Sequence, residues 1–300
     1  HGRRPVILAG FVLFTAASVA CAVATSFPAL LVCRLLQALG VSVGTVGSRA
    51  IVRDTHDALG AVRALAWIGA AMGIAPVVGP VIGGLLSAWA GPQSVFAASA
   101  ALGLLVTIAM SLRLTETRHA AATNAQSQHW ATSYGELLRS RVFVGYTLMY
   151  AFMQGCFFAF LAVAAVVFND HLGISAARFG VIWGGMGLVY VAGAAGGARL
   201  TSRLGMRRVL WAGTLMIVFS GAALLLDVAA SGVTLAGLLA PLTLLMFAAG
   251  IQTPLSVAGA VNCRPDIAGT AAGLSSSMAL VLRGSFSIMA GFLYVGDFLP

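Results

Sequence analysis

The sequence predicts an all-α membrane protein, and three observations carry that prediction. Of 300 residues, 60% are hydrophobic and 8% charged, whereas a soluble domain carries about 25% charged residues. Apolar runs of about 20 residues, each long enough to cross a hydrocarbon layer of roughly 30 Å as a helix, follow one another along the chain. All 17 basic residues are arginines, and most of them gather in alternate connections between these runs. That asymmetry is what orients a membrane protein.

Nine spans follow from the apolar pattern, over residues 5–25, 28–52, 62–88, 93–112, 143–168, 178–199, 207–227, 233–258 and 268–296. Between the fourth and fifth lies the most polar stretch of the chain, which holds both glutamates. The expected organisation is therefore an N-terminal bundle 1–112, a cytoplasmic central loop 113–142 and a C-terminal bundle 143–300. Arg3, Arg4, Arg53, Arg63, Arg113, Arg118, Arg139, Arg141, Arg203, Arg207, Arg208 and Arg264 fall on one side and Arg178 on the other. By the positive-inside rule the start of the chain is cytoplasmic. The net charge of +9 is thus an expression of topology, and the arginines form no single basic face of the kind that binds nucleic acid. No cleavable signal peptide is expected, because the first run begins almost at residue 1 without a small-residue cleavage site.

An internal repeat divides the chain. GRRPVILAG at 2–10 and GMRRVLWAG at 205–213 share a leading glycine, an arginine, a valine and a closing Ala-Gly. Both precede a span on the arginine-rich side, as expected of parallel repeats related by an axis along the membrane normal.

The stretch 72–86, MGIAPVVGPVIGGLL, carries two prolines and four glycines in an apolar run. In a soluble helix interior each proline costs about 3 kcal/mol and each glycine about 1 relative to alanine. Gly69, Gly73, Pro76, Pro80 and Gly83 follow at i+4, i+3, i+4 and i+3 and so share one face. Small faces let helix backbones approach closely, and membrane helices tolerate proline where neighbours satisfy the freed carbonyls. Tight packing against another helix is the expectation, with generic packing and a hinge as the two readings.

Three motifs in order carry a family resemblance. G-R-R-P (Gly2, Arg3, Arg4, Pro5) precedes a span, and R-x-x-Q-x-x-G (Arg34, Gln37, Gly40) lies in the next. G-x-x-x-G-P-x-x-G-G follows, with Ala75 at its first position and then Gly79, Pro80, Gly83 and Gly84. Together they resemble the major facilitator superfamily. The order RLLQALG, RAIVRD, MGIAPVVGPVIGG is similar to the Bcr/CflA branch of drug:proton antiporters. The resemblance implies a fold of two pseudo-symmetric six-helix bundles, with this chain covering helices 3 to 11 and lacking 1, 2 and 12. It further implies proton-coupled efflux of small organic compounds from a bacterial inner membrane by alternating access. No cofactor or metal is implied, and the partners are a drug-like substrate, protons and the lipid bilayer, the protein being a monomer. In that setting Gly73, Pro76, Gly79, Pro80, Gly83 and Gly84 act as a hinge at the outer mouth. Arg34 and Gln37 take part in proton coupling beside the cavity. Asp54 pairs with Arg3 and Arg4 as a cytoplasmic latch after Gly2.

An arginine near the bilayer centre costs about 2.5–3.5 kcal/mol on insertion scales, so each one asks for a partner or a purpose. Arg34 lies about two turns inside its span, where snorkelling to the headgroups is the alternative. Arg283 lies near mid-span and is expected to face a water-filled cavity or a carboxylate, and it departs from the small residue usual in the family. Of eight acidic residues none falls at mid-membrane. A titratable carboxylate for proton coupling is therefore expected elsewhere, on the family's first helix, and this chain alone is expected not to couple. The amides Gln37, Gln154 and Gln252 fall on cavity-lining helices of the fold resembled. Tyr146, Tyr150, Met153, Phe157 and Phe160 form a stripe at i+4 and i+3 spacing, from which Tyr150, Met153 and Phe157 join Gln154, Gln252 and Arg283 as substrate-cavity candidates. Such a stripe is otherwise core, but an aromatic and Met-rich wall also suits flat, lipophilic ligands of varied shape.

Cys21, Cys33, Cys156 and Cys263 show no metal-ligand spacing and read as small apolar side chains, Cys21 and Cys33 being equidistant from the turn near Phe27. SYGE at 133–136 has the form of a capping box that starts a short helix in the central loop. The absence of a Gly-Lys-Ser phosphate loop, a metal cluster or a Ser/His/Asp set disfavours ATP-driven pumping and catalysis. An uptake symporter for a metabolite and a non-transporting membrane sensor remain the alternative readings.

Overall fold

Residues 2–55, 58–116 and 130–294 are described by a computed structural model, with the side chains of several residues between Thr45 and Val77 lying outside the description. The described residues are helical almost throughout: α1 (Arg3–Val23), α2 (Phe27–Thr55), α3 (Ala58–Ala90), α4 (Gln93–Arg113), the short α5 (Trp130–Arg139), α6 (Arg141–Asp170), α7 (Ala176–Leu204), α8 (Met206–Ser231), α9 (Leu235–Asn262) and α10 (Ala268–Leu293). Eight of these are long and apolar enough to cross a membrane, and the described part of α3 adds the apolar stretch Val78–Ala90. Each of the nine predicted spans coincides with one long helix to within a few residues. Only helices, which satisfy every backbone group internally, allow such apolar runs to sit in lipid. The chain divides into two compact units, His1–Gln126 and Ser127–Pro300.

In the first unit α1 packs against α2 and α4. The α1–α2 crossing is made by glycines: a Cβ on Gly10 or on Gly40 would strike the backbone of the other helix. At Gly103 of α4 the rings and hydroxyl of Phe14 and Thr15 occupy the space a side chain would need. In the second unit α6 packs along α10, α7 along α9, and α8 along α9. Gly193 and Gly250 bring α7 and α9 into backbone contact, and Gly213 seats α8 on Gln252 and Ile251 of α9. Gly10 and Gly213 are the closing glycines of the two repeat copies. In each unit, then, the helix that follows the arginine motif uses the same glycine to meet the next helix. Close approach of this kind is how membrane helices gain packing energy when lipid is as apolar as their own side chains.

One expectation is corrected here. Ser133 does not cap a helix: α5 begins upstream at Trp130, and Ser140 instead caps α6 by accepting a hydrogen bond from the Phe143 N–H at 3.3 Å. On the small face of α3, no described atom stands within 4 Å of where a Cβ on Gly79 or Gly83 would be. Gly73, Pro76 and Asp54 fall where side chains lie outside the described residues.

At the arginine-rich end of the second unit, α5 is held by a buried contact and an exposed one. Leu137 is fully buried with Phe143, Ala260, Ile267 and Ala271. The Arg264 guanidinium donates to Glu136 of α5 at 3.0 Å and to Asp266 at 3.0 and 2.8 Å. The hydrogen bond from Arg264 holds the Asp266 carboxyl below its usual range, and Asp266 in turn raises the Arg264 guanidinium.

Candidate functional site

In the first unit the sequence candidates Arg34 and Gln37 meet in a polar chain. Arg34 donates from Nη1 to Gln37 Oε1 at 2.8 Å, Gln37 donates from Nε2 to Ser18 Oγ at 2.7 Å, and Ser18 donates to the Phe14 carbonyl at 2.7 Å. Gln37 and Ser18 are buried, while Arg34 is exposed and lies over the Phe96 ring at 4.8 Å. The helices dictate this order: Arg34 and Gln37 are one turn apart on α2, and the Gly10–Gly40 crossing brings α1 close enough for Ser18 to reach the amide. A charged donor on a buried amide contributes about 1.5–3 kcal/mol. The chain thereby holds the arginine against one wall.

Gly2, Arg3 and Arg4 are engaged by a residue the sequence reading did not single out. The Glu116 carboxylate, just beyond α4, accepts from the Arg3 N–H at 2.8 Å and the Arg4 N–H at 3.2 Å. It thus caps the open amides at the start of α1, where a negative charge also favours the helix dipole. That carboxylate also lies against Gly2, in the space a Cβ there would enter. The Arg4 guanidinium donates to the Ser111 carbonyl at 2.9 Å, near the C-terminal end of α4.

In the second unit the aromatic stripe separates into two faces of α6. Met153 is buried, and Phe157 and Phe160 pack against Trp183 of α7 at ring distances of 6.0 and 6.1 Å, within an apolar core. Tyr146 instead faces Gly259 of α9 and lines a cavity of about 240 Å³ with Met149, Arg207, Leu210, Trp211 and Thr214. Tyr150, Gln154 and Phe158 follow at i, i+4 and i+8 and share another face. Arg283 of α10 lies over the Phe158 ring at 4.5 Å and within electrostatic reach of the Tyr150 hydroxyl, as does Tyr190 of α7. The Gly155–Phe286 contact and the hydrogen bond from Ser287 Oγ to the Phe158 carbonyl at 3.0 Å fix the seam that places Arg283 there. Phe158 was legible only as the next i+4 step after Gln154, since the stripe drawn through Phe157 bypassed it.

Gln252 is buried and donates from Nε2 to Thr214 Oγ1 of α8 at 2.6 Å. It matches Gln37 in kind: each unit carries an amide that bonds a hydroxyl on the helix following the repeat motif. Cys21 is buried, and all four cysteines are free. Among the described residues no group of metal-ligating side chains comes together.

Membrane-length helices in two units, with glycine crossings, define a polytopic membrane protein. The description Major Facilitator Superfamily belongs to the family model that matches residues 1–287, and the chain is a member of that superfamily. It is 26% identical over 294 residues to Multidrug resistance protein D of Escherichia coli K12, covering 97% of this chain and 73% of that protein. To the Chloramphenicol resistance protein of Pseudomonas aeruginosa it is 29% identical over 295 residues, 96% of this chain and 68% of that one. An uncharacterized MFS-type transporter of Bacillus subtilis, YdgK, shares 32% identity over 196 residues, and the match spans 49% of its length. Among solved structures, the fold is similar to a bacterial homolog of the human lysosomal transporter Spinster in an inward-facing, unoccupied conformation. The TM-score is 0.80 at 15% identity, over 96% of this chain and 67% of that one.

Proposed function

We propose that the protein exports small lipophilic organic compounds across a bacterial inner membrane by alternating access, in exchange for protons. The observation that carries this reading is Arg34, a cation inside a span whose guanidinium is held by the buried Gln37 and the ring of Phe96. A charge kept at that depth by dedicated partners serves a pathway rather than packing. The drug-resistance names of relatives matched over nearly the whole chain support the direction of transport and the class of cargo. Inward proton movement releases about 2.3 kcal/mol per 100 mV, which is sufficient to drive a cargo outward severalfold. The small face of α3, open at Gly79 and Gly83, is read as the hinge.

The test is drug accumulation in a bacterial strain stripped of its own exporters and producing the full-length gene product, which would supply the coupling carboxylate expected outside this chain. Lower accumulation that a protonophore abolishes and that Arg34→Ala removes supports the reading. Unchanged accumulation refutes export and favours the sensor, and raised accumulation favours uptake.

A further inference from the structure

We propose that Arg283, with the Gln154 amide and the Tyr150 hydroxyl, forms an anion-binding site that selects aromatic compounds bearing a carboxylate or a similar oxyanion. The inference rests on the reading that this face of the second unit lines the transport path, and it adds the charge class of the cargo. Arg283 sits 15 residues from the start of the 26-residue α10 and ten from its end, about 22 and 15 Å at 1.5 Å per residue, in the middle part of the span. Its guanidinium, which carries five N–H donors, lies over the Phe158 ring at 4.5 Å. Among the described residues no carboxylate pairs with it, and the acidic groups there lie at helix ends or in connections.

The neighbours complete a donor set. Gln154 falls one turn from both Phe158 and Tyr150 on α6, is half-buried, and makes no hydrogen bond among the described residues. The Tyr150 hydroxyl lies within electrostatic reach of the guanidinium. A planar cation, an unengaged amide and a phenol hydroxyl present N–H and O–H donors where the protein supplies no anion. Arginine binds carboxylates through two parallel hydrogen bonds, a geometry lysine does not reproduce. The Phe158 ring beside it offers stacking to an aromatic body. A lipophilic cation, by contrast, meets like charge.

The experiment uses the purified protein in nanodiscs of phosphatidylcholine, which carry no net charge, and three probes on one ring system: 2-naphthoate, 2-naphthamide and (2-naphthyl)trimethylammonium. Binding is measured by calorimetry. Naphthoate is expected to bind at least tenfold more tightly than naphthamide, with the cation weakest, and Arg283→Gln erases the difference while Gln154→Leu lowers naphthoate affinity about threefold. Equal binding of the three probes overturns the proposal, as does an Arg283→Gln protein of unchanged melting temperature that keeps the preference. Should Arg283→Gln fail to fold, Arg283→Lys decides: it must lower naphthoate affinity about fivefold or more and spare naphthamide, and an equal loss for both overturns the proposal. Drug export without any charge preference refutes this inference and leaves the export reading standing. A naphthoate preference without drug export does the reverse.

Discussion

Replacing Gln37 by leucine tests the polar chain of the first unit most directly. Leucine approximates the volume, so the cavity penalty is small, and the perturbation is confined to two hydrogen bonds. The first, from the Arg34 guanidinium at 2.8 Å, belongs to a class that contributes about 1.5–3 kcal/mol. Exposure of Arg34 draws that value to its lower end. The second, from Gln37 Nε2 to Ser18 Oγ at 2.7 Å, is an interhelical bond of the kind that averages about 0.6 kcal/mol in membrane proteins. Ser18 keeps its own bond to the Phe14 carbonyl at 2.7 Å, so no buried donor is left over on α1. The expected loss is about 2 kcal/mol. It is measured by unfolding in mixed micelles of dodecylmaltoside and SDS, followed by circular dichroism. A cycle with Ser18→Ala and the double variant isolates the second bond, with an expected coupling of about 0.6 kcal/mol. A Gln37→Leu protein whose stability lies within about 0.5 kcal/mol of the parent, the range of an uninvolved surface change, would show that the chain holds nothing in place.

Three further outcomes are expected. Gly250→Val places a side chain against the Tyr190 carbonyl and the Ala194 N–H at the α7–α9 crossing, and overpacking there costs about 1–3 kcal/mol or more; an unchanged melting temperature would contradict the backbone contact. Gly83→Leu enters open space within the first unit, so melting is unaltered while export is lost; a variant that exports normally removes α3 from the proposed hinge. Arg264→Gln frees Glu136 and Asp266, so amide exchange across Trp130–Arg139 quickens while the cores of α9 and α10 are unaffected. Because the folded Asp266 pKa is depressed, its contribution is complete above the usual carboxylate range and disappears only as pH falls below it. Exchange in α5 of the parent is therefore flat from neutral to mildly acidic pH and rises in stronger acid; a rise near neutrality would argue against this ion cluster.

The nine long helices were legible in the chain because length and hydropathy are local properties, and lipid admits little besides a helix for 20 apolar residues. The repeat was legible as well, since its closing glycine lies at a helix crossing in both copies. The partners of the polar groups were not. Gln252 reads like Gln154 along the sequence, yet one is consumed by Thr214 and the other is free among the described residues. Phe157 and Phe158 are adjacent in the chain, yet Phe157 packs against Trp183 while Phe158 takes the place beside Arg283. Glu116, remote in sequence from Arg3 and Arg4, caps them only because α4 returns beside the start of α1. In water a helix announces its inner face by polarity. In a membrane both faces are apolar, so rotation about each axis is set by where small residues let neighbours approach, and that is decided only when the helices meet.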